Sequence, residues 1–251
     1  MLFRSESGDS LLAMSSFSGR VALVAGGTGG LGRAVSLAFL EAGANVVVTY
    51  RQPAELAALE TASGDGASRL QGRVLDVTDE AAVRAAVGEI RAHHGSIDVL
   101  VNAVGGYAGG KTLWEEEPGT LDRMLAVNLR SGYVLARAVV PVMLAQGHGA
   151  LVNVASKAAF DHGARNAAYA ASKAAAIAMV DSLAEELRGT GVRANSVVPS
   201  IIDTEANRKA MPKADFSKWP KPEDIARVIL FLSSDDALLI HGAAIPVYGG
   251  S

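Results

Sequence analysis

Six short apolar runs, at positions 21–25, 44–49, 69–75, 97–102, 150–154 and 192–198, recur along the chain of 251 residues. Each is rich in Val, Leu or Ile and has the length of one strand. None alternates cleanly between polar and apolar, so each expects cover on both faces. Longer segments with helical spacing lie between them. Residues 31–42 set Leu31, Val35, Ala38 and Phe39 on one face. Residues 79–93 open on Asp79 and Glu80, which suit the positive end of a helix. Residues 120–144 are long and are expected to break near Pro141, residues 164–188 are Ala-rich, and residues 222–232 open on Pro222 and two acids. Strands that alternate with helices pair in parallel through crossovers. The expectation is one doubly wound parallel α/β domain over 18–251, preceded by a flexible extension over 1–17, with Met14 a candidate start. The stretch 204–220 is polar, basic and aperiodic, and reads as a mobile excursion over a site.

Composition removes several function classes. Hydrophobic residues make up 49% and charged residues 20%, enough apolar content for a sizeable core. A net charge of −3 and 5% aromatics leave neither the basic face nor the stacking platforms of a nucleic-acid binder. Cysteine is absent, which excludes disulfides, thiolate zinc sites and a Cys nucleophile and fits the cytoplasm. No apolar stretch spans a membrane, and the first residues lack the core of a signal peptide. The five histidines, His93, His94, His148, His162 and His241, show no metal-ligand spacing, so no metal is expected.

Glycine accounts for 27 residues, and a cluster falls directly after the first apolar run. Gly27-x-Gly29-x-x-Gly32 there, followed by a helix, satisfies a dinucleotide-binding fingerprint. Glycines let the backbone approach a pyrophosphate, and the helix aims free N–H groups at it. Arg33 and Ala34 stand where an NTPase loop needs Lys and Ser or Thr. After the second run comes Arg51, with no acid before Glu55. A guanidinium suits a 2′-phosphate, which favours NADP(H), with NAD(H) the alternative. Asp76 and Asn102 follow or end strands, where ligands of such sheets bind.

Tyr169 and Lys173 are four apart in a helical segment and share its face. A free phenol is a poor base near neutrality, and a nearby ammonium lowers its pKa. Ser156 follows the run 150–154, where its hydroxyl can steady a carbonyl oxygen.

Ser156 precedes Tyr169 by thirteen residues. With the glycine motif, Asp76-Val77, Asn102-Ala-Val-Gly105, Val127-Asn128, Tyr169-x-x-x-Lys173, Pro199-x-x-x-x-Thr204 and Gly249-Gly250 in order, the chain resembles the short-chain dehydrogenase/reductase family over residues 18–250. The resemblance implies a Rossmann fold and hydride transfer between NAD(P) and a carbonyl or alcohol. It implies Tyr169 as general acid/base, Lys173 as its lever, Ser156 on the substrate and Asn128 in a proton relay. It implies cofactor contacts from Gly26, Thr28, Gly29, Gly30, Leu31, Gly32, Arg51, Asp76, Val77, Asn102, Ala103, Tyr169, Lys173, Pro199, Ile202 and Thr204. It also implies a homotetramer or dimer.

Ala25, Ala103 and Ser200 depart from the family's usual Thr, Asn and Gly. A non-catalytic dinucleotide sensor is the alternative class, and the intact Asn, Ser, Tyr and Lys set argues against it. An acyl-carrier-protein ketoreductase is a third reading. Gln146-Gly147-His148-Gly149 and Gly189-Thr190-Gly191 stand where that group carries basic docking residues. Tyr107, Trp114, Phe160, His162, Met211 and Trp219 fall near the expected substrate side, either lining it or packing.

Overall fold

The structure is a computed structural model and describes residues 16–250. Its strands are β1 (Val21–Ala25), β2 (Asn45–Tyr50), β3 (Leu70–Val74), β4 (Val99–Asn102), β5 (Gly149–Val154), β6 (Val192–Pro199) and β7 (Ala244–Val247). The helices are α1 (Gly30–Glu41), α2 (Pro53–Ser63), α3 (Glu80–His94), α4 (Thr120–Leu125), α5 (Ser131–Gln146), α6 (Ala158–Asp161), α7 (Ala167–Glu186), α8 (Glu205–Ala210) and α9 (Pro222–Ser233). The strands form one parallel sheet in the order β3-β2-β1-β4-β5-β6-β7.

Both faces of the sheet's centre are covered, which is why β1, β2 and β4 are largely apolar, whereas the edge strand β3, with Gln71 and Arg73, is only partly buried despite the expected cover on both faces. Val21, Leu23 and Ala25 pack with α3, α5 and α7, while Ala22 and Val24 pack with α1 and α9. The order reverses between β1 and β4, so the loops after those strands diverge and leave a crevice at their carboxyl ends.

Two elements join the sequence reading, and three expectations change. The strand β7 escapes the sequence reading because it is four residues long and contains Pro246, which an edge strand tolerates. α2 escapes it because only Leu59 is buried, leaving no apolar stripe. The segment 120–144 does not break at Pro141. It widens into a π-helical turn at Ala126–Arg130, and Pro141 lies inside a continuous α5 whose flanking Val139, Val140, Val142 and Met143 are buried. That packing offsets the helix cost of proline, about 3 kcal/mol.

The stretch 204–220 is also more structured than expected. It holds α8 and a 3-10 turn, Phe216–Lys218, and it ends on buried Trp219. Asp203 N–H donates to Pro220 O (2.9 Å) and Gly250 N–H to Lys218 O (3.0 Å), which ties it down. Arg208 pairs with Asp203 just before it (2.5 Å), while Lys209 pairs with Glu205 (2.6 Å) and Lys218 with Asp215 (3.9 Å) inside it.

Of the segment 1–17, residues 1–15 lie outside the described residues. Phe17 is fully buried, its ring edge-on to Phe39 at 5.1 Å, so packing begins one residue before the expected boundary. Among the described residues no helix is long and apolar enough to cross a membrane.

Candidate active site

The glycine loop joins β1 to α1. Gly26 has φ +70°, and its N–H donates to Thr49 Oγ1 at 2.9 Å. A Cβ on Gly32 would fall 2.0 Å from Gly26 O, so only glycine lets the loop fold back on itself. A Cβ on Gly30 would meet Thr204 at 2.9 Å, so Thr204 lies directly over the loop. Gly29 caps α1 without a side-chain hydrogen bond, and no acid stands in the first turn. The open N–H groups and the positive helix end therefore fit the pyrophosphate of a dinucleotide.

The remaining expected cofactor residues are placed as follows. Arg51 is exposed just past β2, and its charge helps hold the Asp76 carboxyl below its usual range. Hydrogen bonds from Thr78 are the larger cause: Asp76 Oδ1 accepts from Thr78 N–H (2.9 Å) and Oγ1 (2.7 Å). Val77 is buried in the core. Asn102 is buried; its amide donates to Asn153 Oδ1 (3.0 Å) and its Oδ1 accepts from Val104 N–H (3.2 Å), which shapes the loop after β4. Ala103 N–H donates to Ala25 O at 3.0 Å, tying that loop to the glycine loop's strand. Leu31 is buried under α1. Pro199 O accepts from Lys157 N–H (2.8 Å), and Ile202 packs on the α1 face. Thr204 caps α8. Ser200, one of the departures, donates to Tyr248 O at 2.8 Å.

Glu55, which the sequence reading noted only as the first acid after Arg51, takes a place at the glycine loop. It sits in the first turn of α2, and its carboxylate accepts from Thr28 Oγ1 at 2.8 Å. The spacing of an acid some twenty residues past the glycines was the available signal.

The four expected catalytic side chains come from three places: the π turn (Asn128), the end of β5 (Ser156) and α7 (Tyr169, Lys173). Asn128 is buried, with its Oδ1 accepting from Gly106 N–H (2.9 Å) and its amide donating to Gly106 O (3.1 Å). Lys173 is buried too and donates to Val154 O at 2.9 Å. A Cβ on Gly105 would lie 3.2 Å from both Asn128 Oδ1 and Lys173 Nζ, so the loop after β4 brings the two together.

Tyr169 is half-buried. Burial raises its pKa, a side-chain hydrogen bond with Ser156 opposes this, and neighbouring Tyr107 adds to the rise, so the phenol sits above its ordinary value. Burial likewise pushes the Lys173 ammonium down to about 8. Lys173 is not among the groups that shift the phenol here. The amine points to a carbonyl, and desolvation dominates both groups.

Ser172 is a second residue the motif left unassigned. Its hydroxyl accepts from Asn128 Nδ2 (2.9 Å) and donates to Tyr169 O (2.7 Å), joining the π turn to the tyrosine. Ser172→Ala should leave Asn128 short of a buried partner and lower stability by about 1–3 kcal/mol, read by chemical denaturation. An unchanged midpoint would remove the bridge's structural role.

Of the aromatic residues flagged on the substrate side, Trp219 is buried against Phe216 (4.9 Å), whereas Trp114 and Tyr107 are exposed.

The parallel sheet, the glycine cradle and the Ser-Tyr-Lys cluster define a dinucleotide-dependent oxidoreductase of the Rossmann type. A model of the short chain dehydrogenases matches residues 20–215. The chain belongs to the short-chain dehydrogenase/reductase family, whose members use NAD(P) on alcohol or carbonyl groups. It is similar to a 3-oxoacyl-acyl-carrier-protein reductase of Thermotoga maritima, 32% identical over 92% of this chain and 97% of that one. It is similar also to the D-threitol dehydrogenase of Mycolicibacterium smegmatis, 37% identical over 92% of each. Among solved structures, a provisionally named NAD(P) dependent gluconate 5-dehydrogenase from Beutenbergia cavernae, with bound NADP at low occupancy, superposes with TM-score 0.86. It is 32% identical over 94% of this chain and 98% of that chain.

Proposed function

We propose that this chain interconverts a small or medium carbonyl and its alcohol, sugar-like or cyclic, with Tyr169 as the proton donor and acceptor. The observation that supports the reading is the pairing of Ser156 with the Tyr169 side chain, with the buried Lys173 ammonium one turn along the same helix and close to Asn128 at Gly105. The nicotinamide group supplies or accepts the hydride when bound. Gly26, Thr28, Gly29, Gly30, Leu31 and Gly32 cradle its dinucleotide, with Val77, Asn102, Ala103, Pro199, Ile202 and Thr204 around it.

In this reading Ser156 donates to the substrate oxygen and holds it against the phenol. Tyr169 delivers its phenolic proton as negative charge develops on that oxygen. The Lys173 ammonium then resupplies the proton from the buried side, through a water that Asn128 would hold. Reduction of a ketone panel by NADPH, followed by nicotinamide absorbance, tests the assignment. No turnover with any member and either cofactor would leave a dinucleotide sensor as the better reading.

NADP(H) is the favoured cofactor, because exposed Arg51 can pair with a 2′-phosphate. Arg51→Ala should raise the NADPH KM about tenfold and leave the NADH KM alone. Equal response of both KM values would count against it. NAD(H) is the second reading, and Glu55 favours it: a carboxylate at the glycine loop accepts from a ribose hydroxyl and repels a phosphate.

Acyl-carrier docking is disfavoured, since Gly147 and Thr190 occupy places that the resemblance fills with basic residues. The enzyme works in the cytoplasm, as a cysteine-free chain can. It assembles as a dimer or tetramer through the groove between α5 and α7, about 400 Å³ and lined by Tyr133, Met179 and Leu183. Sedimentation as a clean monomer would remove that assembly.

A further inference from the structure

The loop after β4 does more than carry Gly105. Tyr107 lies in it with 68% of its surface exposed, yet its ring meets the Tyr169 ring at 5.0 Å and 75°. That is the edge-to-face arrangement aromatic pairs prefer. The backbone is fitted around the Tyr107 hydroxyl: a Cβ on Gly109 would lie 2.2 Å from it and 3.0 Å from Arg165 O. Gly110 N–H donates to the same carbonyl at 2.8 Å, so this loop is stitched to the segment that leads into α7. That segment carries the two described non-glycine residues with positive φ, His162 at 47° and Arg165 at 64°. Such backbone costs energy and persists only where surrounding contacts over-determine it.

We propose that Tyr107 is a positioning residue for Tyr169. Its ring, held by the seam between Gly110 and Arg165, fixes the direction of the Tyr169 phenol and screens its open side from water. The proposal rests on the oxidoreductase reading for its effect on turnover, but not for its effect on the phenol itself. The polar and titratable groups set against that phenol are Ser156 after β5 and Tyr107 after β4, with Lys173 one turn along its own helix. Burial is the largest cause of its raised pKa, and Tyr107 adds to it. Removing the ring therefore moves the phenol toward its ordinary value.

The experiment pairs Tyr107→Ala with Tyr107→Phe. Tyrosine absorbance is titrated in each variant and in wild type, with and without Tyr169→Phe, so that the difference isolates Tyr169. Tyr107→Ala is expected to lower the Tyr169 titration midpoint and to cut kcat about two- to tenfold on the best ketone of the panel, with NADPH dissociation unchanged. Tyr107→Phe keeps the ring and should keep kcat within about twofold. An unmoved Tyr169 midpoint in Tyr107→Ala, or a loss confined to KM, overturns the proposal. If no ketone is reduced, the oxidoreductase reading falls while the titration still decides whether Tyr107 screens the phenol.

Discussion

Tyr169→Phe should lower kcat by about 10²–10⁴-fold while NADPH binding stays within about twofold. The ring packing against Tyr107 survives the change, because only the hydroxyl is lost. What disappears is the proton source for the oxygen that Ser156 holds. Fluorescence titration of NADPH and steady-state kinetics on one protein batch separate the two effects. Turnover near wild type would mean that another group delivers the proton.

The same site sets a pH limit. Burial depresses the Lys173 ammonium to about 8, so it is charged below that pH and neutral above it. Ketone reduction should decline as pH rises through about 8, because the relay behind Tyr169 loses its proton there. Stability runs the other way. Between the folded value near 8 and the ordinary value of 10.5, the unfolded chain holds a proton that the fold has released. This group's contribution to stability therefore increases with pH across that window. A rate that falls while the denaturation midpoint holds or rises locates the loss in the site rather than in unfolding.

Gly32→Ala carries the second large expected effect. Its Cβ would stand 2.0 Å from Gly26 O and 2.8 Å from Gly26 C, and neither backbone atom can swing away as a side chain can. The loop has to open, which displaces Gly26, Gly29 and the start of α1 together. Dinucleotide affinity should fall at least about tenfold, and stability by about 1–3 kcal/mol, the usual range for an overpacked core. Calorimetric binding of NADPH reads the first and denaturant unfolding the second. Gly88→Ala on α3 is the control, since no atom lies within 4 Å of its Cβ and its φ is not positive. Undiminished NADPH affinity in Gly32→Ala would show that the loop's closeness is not what makes the cradle.

Much of this molecule could be read in one dimension because its chemistry is local. Strands buried on two faces favour apolar runs, and β1, β2 and β4 show them most plainly, while β5 and β6 carry buried polar residues such as Asn153, Arg193 and Asn195 among their apolar ones. β7 shows no such run, since an edge strand of four residues with a proline needs none. Tyr169 and Lys173 were legible together because four residues on one helix share a face. The widening of the helix at Asn128 was not, because a π turn is decided by what its side chains reach: Gly106 in another loop and Ser172 on α7.

Local order along the chain thus determined the parallel sheet, the glycine cradle and the candidate proton donor, all of which depend on neighbours within a few residues. Tertiary structure alone decided how those groups behave. It buried Lys173 against Val154 O, raised the Tyr169 phenol, placed Tyr107 over it and turned Glu55 onto the glycine loop. Desolvation and the geometry of contacts between distant segments govern these outcomes, and neither is a property of residues taken in order.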